Sequence, residues 1–290
     1  MTTRIEHDAI RVLAGQLRRR GLEVAEAGCG ADGAADAAAV KSLIDGATSV
    51  VSVMHANNET GVLQPCAEVF AAARAAGALA HCDAVQSLGK LKLDAKALGA
   101  DLVAVSGHKV NAPKGVGALY VRRGVRLSPL VTGHQEKNRR GGTENVASIV
   151  GFGLACELAA RELSSAHAHA LALRGKIEAG VLRLPGVRLN GAGAARLPNT
   201  SHFSFDGLDG HHLVVALDLE GVCVSSGPAC SSGASTPSHV LTAMGVPPEV
   251  ATGSLRVSTG WGSTDADADR LLKILPAIVQ KLRAAAKVAA

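Results

Sequence analysis

Asp101-Leu-Val-Ala-Val-Ser-Gly-His-Lys109, followed by Val-Asn-Ala-Pro-Lys-Gly-Val-Gly-Ala-Leu-Tyr120, is the stretch that decides how the rest of the chain is read. The run from Leu102 to Val105 is short, apolar and rich in β-branched residues, and it closes towards a glycine, which predicts a buried strand. At its end stand Ser106, Gly107, His108 and Lys109, a hydroxyl, an imidazole and an amine at a strand's carboxyl edge. Open α/β sheets place ligands at that edge. A lysine held there partly out of water gives up its charge more easily and can form a Schiff base with an aldehyde. An exposed lysine in a Gly/Pro-rich loop is the plainer alternative.

Upstream, Ser49-Val-Val-Ser-Val-Met-His55 reads as another buried strand, running into the polar loop Ala56-Asn57-Asn58-Glu59-Thr60-Gly61. Pro65 suits the first position of a helix ending near Gly77, and Leu79 to Cys82 is a brief strand delivering Asp83 and Gln86. Glu6 to Arg20 predicts a helix with Ile10, Leu13 and Leu17 on one face; Val24 opens a short strand, and Ala37 to Ile44 is helical. Gly117 to Val121 returns as a strand. This alternation implies a largely parallel sheet covered by helices. Successive strand ends carry Asn58, then Asp83 and Gln86, then Ser106, His108 and Lys109; right-handed crossovers bring such ends to one side, so they predict one shared pocket.

A basic loop, Gly133 to Thr143, precedes a helical run from Asn145 to about Gly180. The domain boundary is expected inside that helix near Leu163, giving a cofactor-binding large domain over 1–162 and a smaller α+β domain over 163–290. Asn199–Phe205, Asp209–Leu219, Val222–Ser225 and Leu255–Ser258 are the elements expected in the second, with a terminal helix Thr264–Arg283 and a frayed end from Ala284.

Apolar residues make up 47% of the 290 residues and aromatics only 2%, so the core is built from Ala, Val and Leu. A net charge of +5, with no basic block interleaved with aromatics, speaks against nucleic acid. The six cysteines form no CxxC pair and no zinc-like spacing, and no apolar run is long enough to span a bilayer. Reduced thiols and a cytoplasmic location are therefore expected. Cys29, Cys66, Cys156 and Cys223 are read as buried packing residues, whereas Cys230 lies in the small-residue run Ser225-Ser-Gly-Pro-Ala-Cys-Ser-Ser-Gly-Ala-Ser235. No strand is followed by GxGxxG, and Ala112-Pro-Lys-Gly-Val-Gly117 lacks a GK[ST] ending, which excludes the common nucleotide-binding fingerprints.

Seven segments, in order, resemble the cysteine desulfurases of the class V aminotransferase group, pyridoxal-phosphate enzymes of fold type I. They are Glu6-His7-Asp8, His55-Ala-Asn-Asn-Glu-Thr-Gly61, His81-Cys-Asp-Ala-Val-Gln86, Ser106-Gly-His-Lys109 with Pro113-Lys-Gly-Val-Gly117, Arg140-Gly-Gly-Thr-Glu-Asn145, Ser225-Ser-Gly-Pro-Ala-Cys230 and Ser254-Leu-Arg256. The resemblance runs from Ile5 to about Leu282 and implies an α/β large domain with a mostly parallel sheet beside a small α+β domain. It makes Lys109 the Schiff-base lysine that also moves the substrate's α-proton. Asp83 would pair with the pyridine nitrogen, Gln86 would bond the phenolic oxygen, and His7 would stack on the ring, as a residue of catalytic standing in the family. Asn58 would meet the ring oxygen or substrate, Ser106 and His108 the phosphate, and Arg256 the substrate carboxylate, for which a planar fork is well shaped. Thr143 matches a threonine reaching the cofactor of another subunit, which implies a homodimer. Cys230 would take sulfur from L-cysteine as a persulfide, leaving L-alanine, and pass it to an acceptor or iron–sulfur scaffold protein.

Some features depart from the family's pattern. The family's segment before Glu6-His7, with a Gly/Ala-Thr loop that grips the phosphate at a helix N-terminus, has no counterpart, so the chain is expected to be truncated relative to the family. Ala112 stands where glycine is usual, Pro228 where serine is usual, and His134 lies in a glycine-rich loop. Two other readings remain beside the desulfurase: another class V enzyme, such as a selenocysteine lyase or aminotransferase, and a non-catalytic relative acting as an assembly partner.

Overall fold

A computed structural model describes residues 1–227 and 237–289. Its first part is a layer of strands ordered by parallel pairing. β1 (Thr2–Thr3) and β2 (Glu26–Ala27) pair in parallel around α1 (Asp8–Arg19). His7 caps α1, its Nδ1 accepting from the Ala9 N–H at 3.2 Å, and Arg18 and Arg19 occupy the last turn, where a cation suits the helix dipole. The buried position of α1 is Ala14, with Ile10 and Leu17 half-buried beside it, whereas Leu13 is exposed, one step off the expected face. Asp36 caps α2 (Ala37–Ser42) by accepting from Ala38 and Ala39 N–H.

β3 (Val50–Met54), β4 (Leu79–Asp83), β5 (Leu102–Ser106) and β6 (Gly117–Val121) form a four-stranded sheet in that order. The first two pairings are parallel and the last antiparallel. β1 runs alongside β3, with Thr2 Oγ1 donating to Ser52 O and Ser52 N–H donating to Met1 O, each at 3.0 Å. α3 (Cys66–Ala75) crosses between β3 and β4; its buried stripe of Cys66, Val69, Phe70 and Ala73 packs on Val51, Val53, Ala80, Cys82 and Val103. Pro65 caps α3 instead of opening it. β6 is the edge strand and is exposed through most of its length, including Leu119 and Tyr120.

After a short turn, α4 (Gln135–Asn138), comes α5 (Val146–Val181), a helix of 36 residues capped by Asn145. Its N-terminal half packs Phe152, Ala155, Cys156 and Ala159 on Val110 and Ala112. Its C-terminal half turns Leu173, Ile177 and Val181 into a second core. That core is covered by β7 (Val187–Asn190), β8 (Thr200–Phe205), α6 (Gly210–Leu219), β9 (Ser254–Ser258) and α9 (Asp265–Ala289), with the strands forming an antiparallel sheet ordered β7-β8-β9; α7 (His239–Ala243) and α8 (Pro248–Thr252) lie between α6 and β9 in the chain. Phe203, Phe205, Leu213, Leu217, Leu255 and Leu275 fill it. A third cluster joins Ile5 to Val240, Leu241, Met244 and Ala251, so the N-terminal segment packs on α7 and α8.

β7 has no counterpart among the expected elements. Ser225 of the expected Val222–Ser225 strand makes only an isolated bridge to Arg256. α9 continues past Arg283 to Ala289 where fraying was expected. Cys223 is exposed, against its reading as a packing residue, while Cys66 is buried and Cys29 and Cys156 are half-buried.

Two glycines give opposite expectations. A Cβ at Gly253 would lie 2.3 Å from the Phe205 carbonyl oxygen, backbone that cannot swing aside, whereas a Cβ on Gly175 in α5 meets nothing within 4 Å. Gly253→Ala is expected to lower stability by about 1–3 kcal/mol. Gly175→Ala is expected to raise it by about 0.5–1 kcal/mol. Urea denaturation of both variants checks the signs; a tolerated Gly253→Ala would show that the turn relaxes.

Candidate active site

Parallel register brings the expected residues to one edge. Met54 is paired with Asp83 across β3 and β4, and Asp83 with Ala104 across β4 and β5, so the three strands end nearly level. The ladder extends one step past them, with His55 N–H donating to Asp83 O at 2.8 Å and Ala84 N–H to Ala104 O at 3.0 Å. Asp83 Oδ1 accepts from Val85 N–H at 3.0 Å, a tight turn that holds the carboxylate at the edge. Gln86 follows in the same turn, its carbonyl accepting from Lys90 Nζ at 2.9 Å. Ser106 Oγ and His108 Nδ1 lie 2.7 Å apart, which ties both residues together at the end of β5. Lys109 stands on the 3-10 turn Gly107–Val110, whose Gly107 and Val110 are buried. Lys109 itself is exposed, against the expectation of a lysine partly out of water, because the turn carries its side chain beyond the sheet edge.

The withdrawn lysine is Lys90. Burial, and then the charge of Lys109, push it down to about 8. Burial, together with the charges of Lys109, Lys114 and Lys90, also holds the His108 imidazole below its usual value. Three ammonium groups therefore surround the Ser106–His108 pair, an environment made for an anion. Beneath Asp83 lies Glu6, fully buried and pushed up to about 8 by burial, although Thr3 Oγ1 donates to its Oε1 at 2.6 Å and Met54 N–H at 3.0 Å.

The second sheet reaches the same edge through Arg256 on β9, whose Nη1 donates to the Asn58 carbonyl at 2.8 Å. Asn58 Oδ1 is buried without a hydrogen-bond partner among the described residues. His202, opposite Arg256 on β8, is held neutral, pushed down to about 3 by burial and the guanidinium charge. His7 is half-buried at the start of α1. Thr143 is exposed in the loop before α5, and no hydrogen bond joins it to the other candidates among the described residues. Cys230 lies outside the described residues; its flanks, Ser225–Gly227 and Ser238, adjoin Arg256 and Glu59.

These groups fit pyridoxal phosphate. The edge offers an amine for an aldehyde, neutral donors amid ammonium charge for a phosphate, a carboxylate for a protonated ring nitrogen, and the unpartnered Asn58 Oδ1. Sequence reasoning did not find Glu6, Glu59 or Lys90. Nothing in a linear reading separates a buried acid from a surface one, and Lys90 carries no motif of its own.

Residues 1–271 match the family model of class-V aminotransferases. A cysteine desulfurase of Gluconacetobacter diazotrophicus is 44% identical over 286 residues, covering 98% of this chain and 72% of that protein. The cysteine desulfurase NifS of Azotobacter vinelandii is 42% identical over 285 residues, 98% of this chain and 71% of that one. Among solved structures, a NifS-like protein superposes with a TM-score of 0.89 at 35% identity, over 97% of this chain and 74% of the other. No helix among the described residues is long and apolar enough to cross a membrane. The chain belongs to the class-V aminotransferase family, among the cysteine desulfurases of that family.

Proposed function

We propose that the chain removes sulfur from L-cysteine, leaving L-alanine and a persulfide on Cys230, with pyridoxal phosphate as cofactor. The observation that carries this reading is the meeting of Asp83, Ser106, His108 and Lys109 at one sheet edge, with Arg256 arriving from the second sheet. When bound, the cofactor supplies an electron sink for charge developing at the substrate's carbon. Lys109 anchors the aldehyde and moves the α-proton. Asp83 keeps the ring nitrogen protonated, Gln86 donates to the phenolic oxygen, and His7 covers the ring face. Ser106 and His108 hold the phosphate within the field of Lys90, Lys109 and Lys114.

Arg256 receives the substrate carboxylate while its Nη1 stays on the Asn58 carbonyl, which fixes the plane of the fork. The Cys230 thiolate forms an S–S bond to the substrate sulfur as the C–S bond breaks. The electron pair of that bond remains with carbon, which takes up a proton on the way to alanine. Thr143, exposed on its loop, is assigned to a second subunit's phosphate, so the working form is a homodimer, and an iron–sulfur scaffold or other acceptor protein takes the sulfur.

Titration with pyridoxal phosphate is expected to give a saturable visible band, and borohydride reduction with peptide mapping an adduct on Lys109. Lys109→Ala should show neither, and an unchanged adduct pattern would sink the assignment. Arg256→Lys should raise the KM for cysteine about 10- to 100-fold, the loss of one charge-assisted bond, with the Lys109 adduct unaffected. Cys230→Ser should abolish sulfide release while the adduct still forms; alanine production that survives it would favour a selenocysteine lyase or aminotransferase.

Glu6 gives a dependence on pH. Its folded-state value of about 8 lies above the ordinary 4.5, so between these the folded chain holds a proton that the unfolded chain has lost. The stability it contributes is full below the ordinary value and declines as pH rises towards about 8. Relative to the parent, Glu6→Gln should therefore gain urea resistance steadily between about pH 5 and pH 8. A constant difference across that window would place Glu6 in water.

A further inference from the structure

His239 opens α7, and its Nε2 donates to the Glu6 carbonyl at 2.9 Å, a contact across 233 positions of sequence. A carbonyl only accepts, so this imidazole carries a proton on Nε2. The bond falls on the peptide plane that enters His7, because the Glu6 oxygen, the His7 nitrogen and the His7 Cα are coplanar. The plane that leaves His7 is held by α1: the His7 carbonyl accepts from Ile10 and Arg11 N–H at 2.9 and 3.0 Å. Between the two planes His7 is extended, with φ −62° and ψ 154°, and its Nδ1 takes the Ala9 N–H at 3.2 Å. The rest of the segment is anchored independently. Ile5 O accepts from Asn57 Nδ2 at 3.0 Å, and Glu6 Oε1 accepts from Met54 N–H at 3.0 Å. Ile5 is fully buried in one cluster with Val240, Leu241 and Met244, so apolar packing seats α7 on this segment and His239 adds direction to the contact.

We infer that His239 is a positioning residue for His7: through the Glu6 carbonyl it sets the angle at which the His7 ring meets the cofactor. The inference rests on the reading of His7 as the residue that covers the ring face. His239 acts only through the Glu6–His7 peptide, and α1 and α7 each hold one of the two planes between which the His7 side chain hangs. The attraction between two flat rings depends on their offset and tilt, so a partner that rotates on its backbone loses contact without leaving the site. A displacement of about 1 Å at such a residue costs on the order of a hundred-fold in rate, and releasing one of the two planes should cost part of that.

Three variants separate the hydrogen bond from the bulk of the ring. His239→Leu removes the donor, His239→Asn keeps an amide that stops short of the carbonyl, and His239→Gln places an amide nitrogen near the position of Nε2. Each is titrated with pyridoxal phosphate and assayed for sulfide release, alone and combined with His7→Ala. His239→Leu and His239→Asn are expected to raise the titration midpoint and to lower kcat, each by about ten-fold. The KM for cysteine should stay within about two-fold of the parent's, because Arg256 is untouched. His239→Gln should recover most of both losses. His7→Ala should lose at least as much by itself, and His239→Leu added to it should cost less than about two-fold more, since the pair acts as one unit. Losses that multiply in full in the double variant would overturn the inference, as would a His239→Gln no better than His239→Leu. Where His239→Leu does not fold, the comparison of Asn with Gln decides. If His7→Ala titrates and turns over as the parent does, the reading of His7 falls and the inference with it. If His7→Ala is impaired while the Leu and Asn variants behave as the parent, only the inference falls.

Discussion

The hydrogen bond from Arg256 Nη1 to the Asn58 carbonyl is the constraint on which the site depends, because it joins two sheets that share no strand. Each sheet is ordered internally by its own ladder, yet neither ladder can by itself bring Arg256 to the strand ends of the other sheet. A charged donor on a backbone acceptor is among the stronger hydrogen bonds, and here both groups are largely withdrawn from water. His202 beside Arg256 is held neutral, pushed down by burial and the guanidinium charge, so Arg256 has no second cation at its side there.

Much of this was legible because it follows from short-range chemistry. An apolar β-branched run closing on polar residues can only be a strand delivering them to its carboxyl end, and Leu102–Ser106 with Lys109 behaves that way. Parallel pairing then does the rest, since strands in register must end together. Asp36 and Asn145, short polar residues before helices, accept from first-turn N–H groups, caps that the sequence reading did not single out.

What was not legible depends on partners far along the chain. β7 exists because β8 offers it an edge, and Val187–Asn190 alone is too short to declare itself. Leu13 is exposed because Ala14, a small residue, lets α1 approach its neighbours, so the face is set by fit as well as by hydrophobicity. Lys109 is exposed and Lys90, which carries no motif, is the lysine that burial pushes down, a difference that packing and not sequence decides.

The buried acids show how the site divides its work. Burial pushes Glu6 up to about 8, against the hydrogen bonds from Thr3 and the Met54 N–H that favour its charged form. Burial also raises Glu59, but there Ser238, His239 and Arg256 oppose the shift. The two acids thus differ in what they offer their surroundings. Both residues lie in the two segments, Ile5–His7 and Asn57–Thr60, that Asn57 Nδ2 ties together through the Ile5 carbonyl. The edge that carries Asp83 and the segment that carries Glu59 are therefore joined through one buried polar contact.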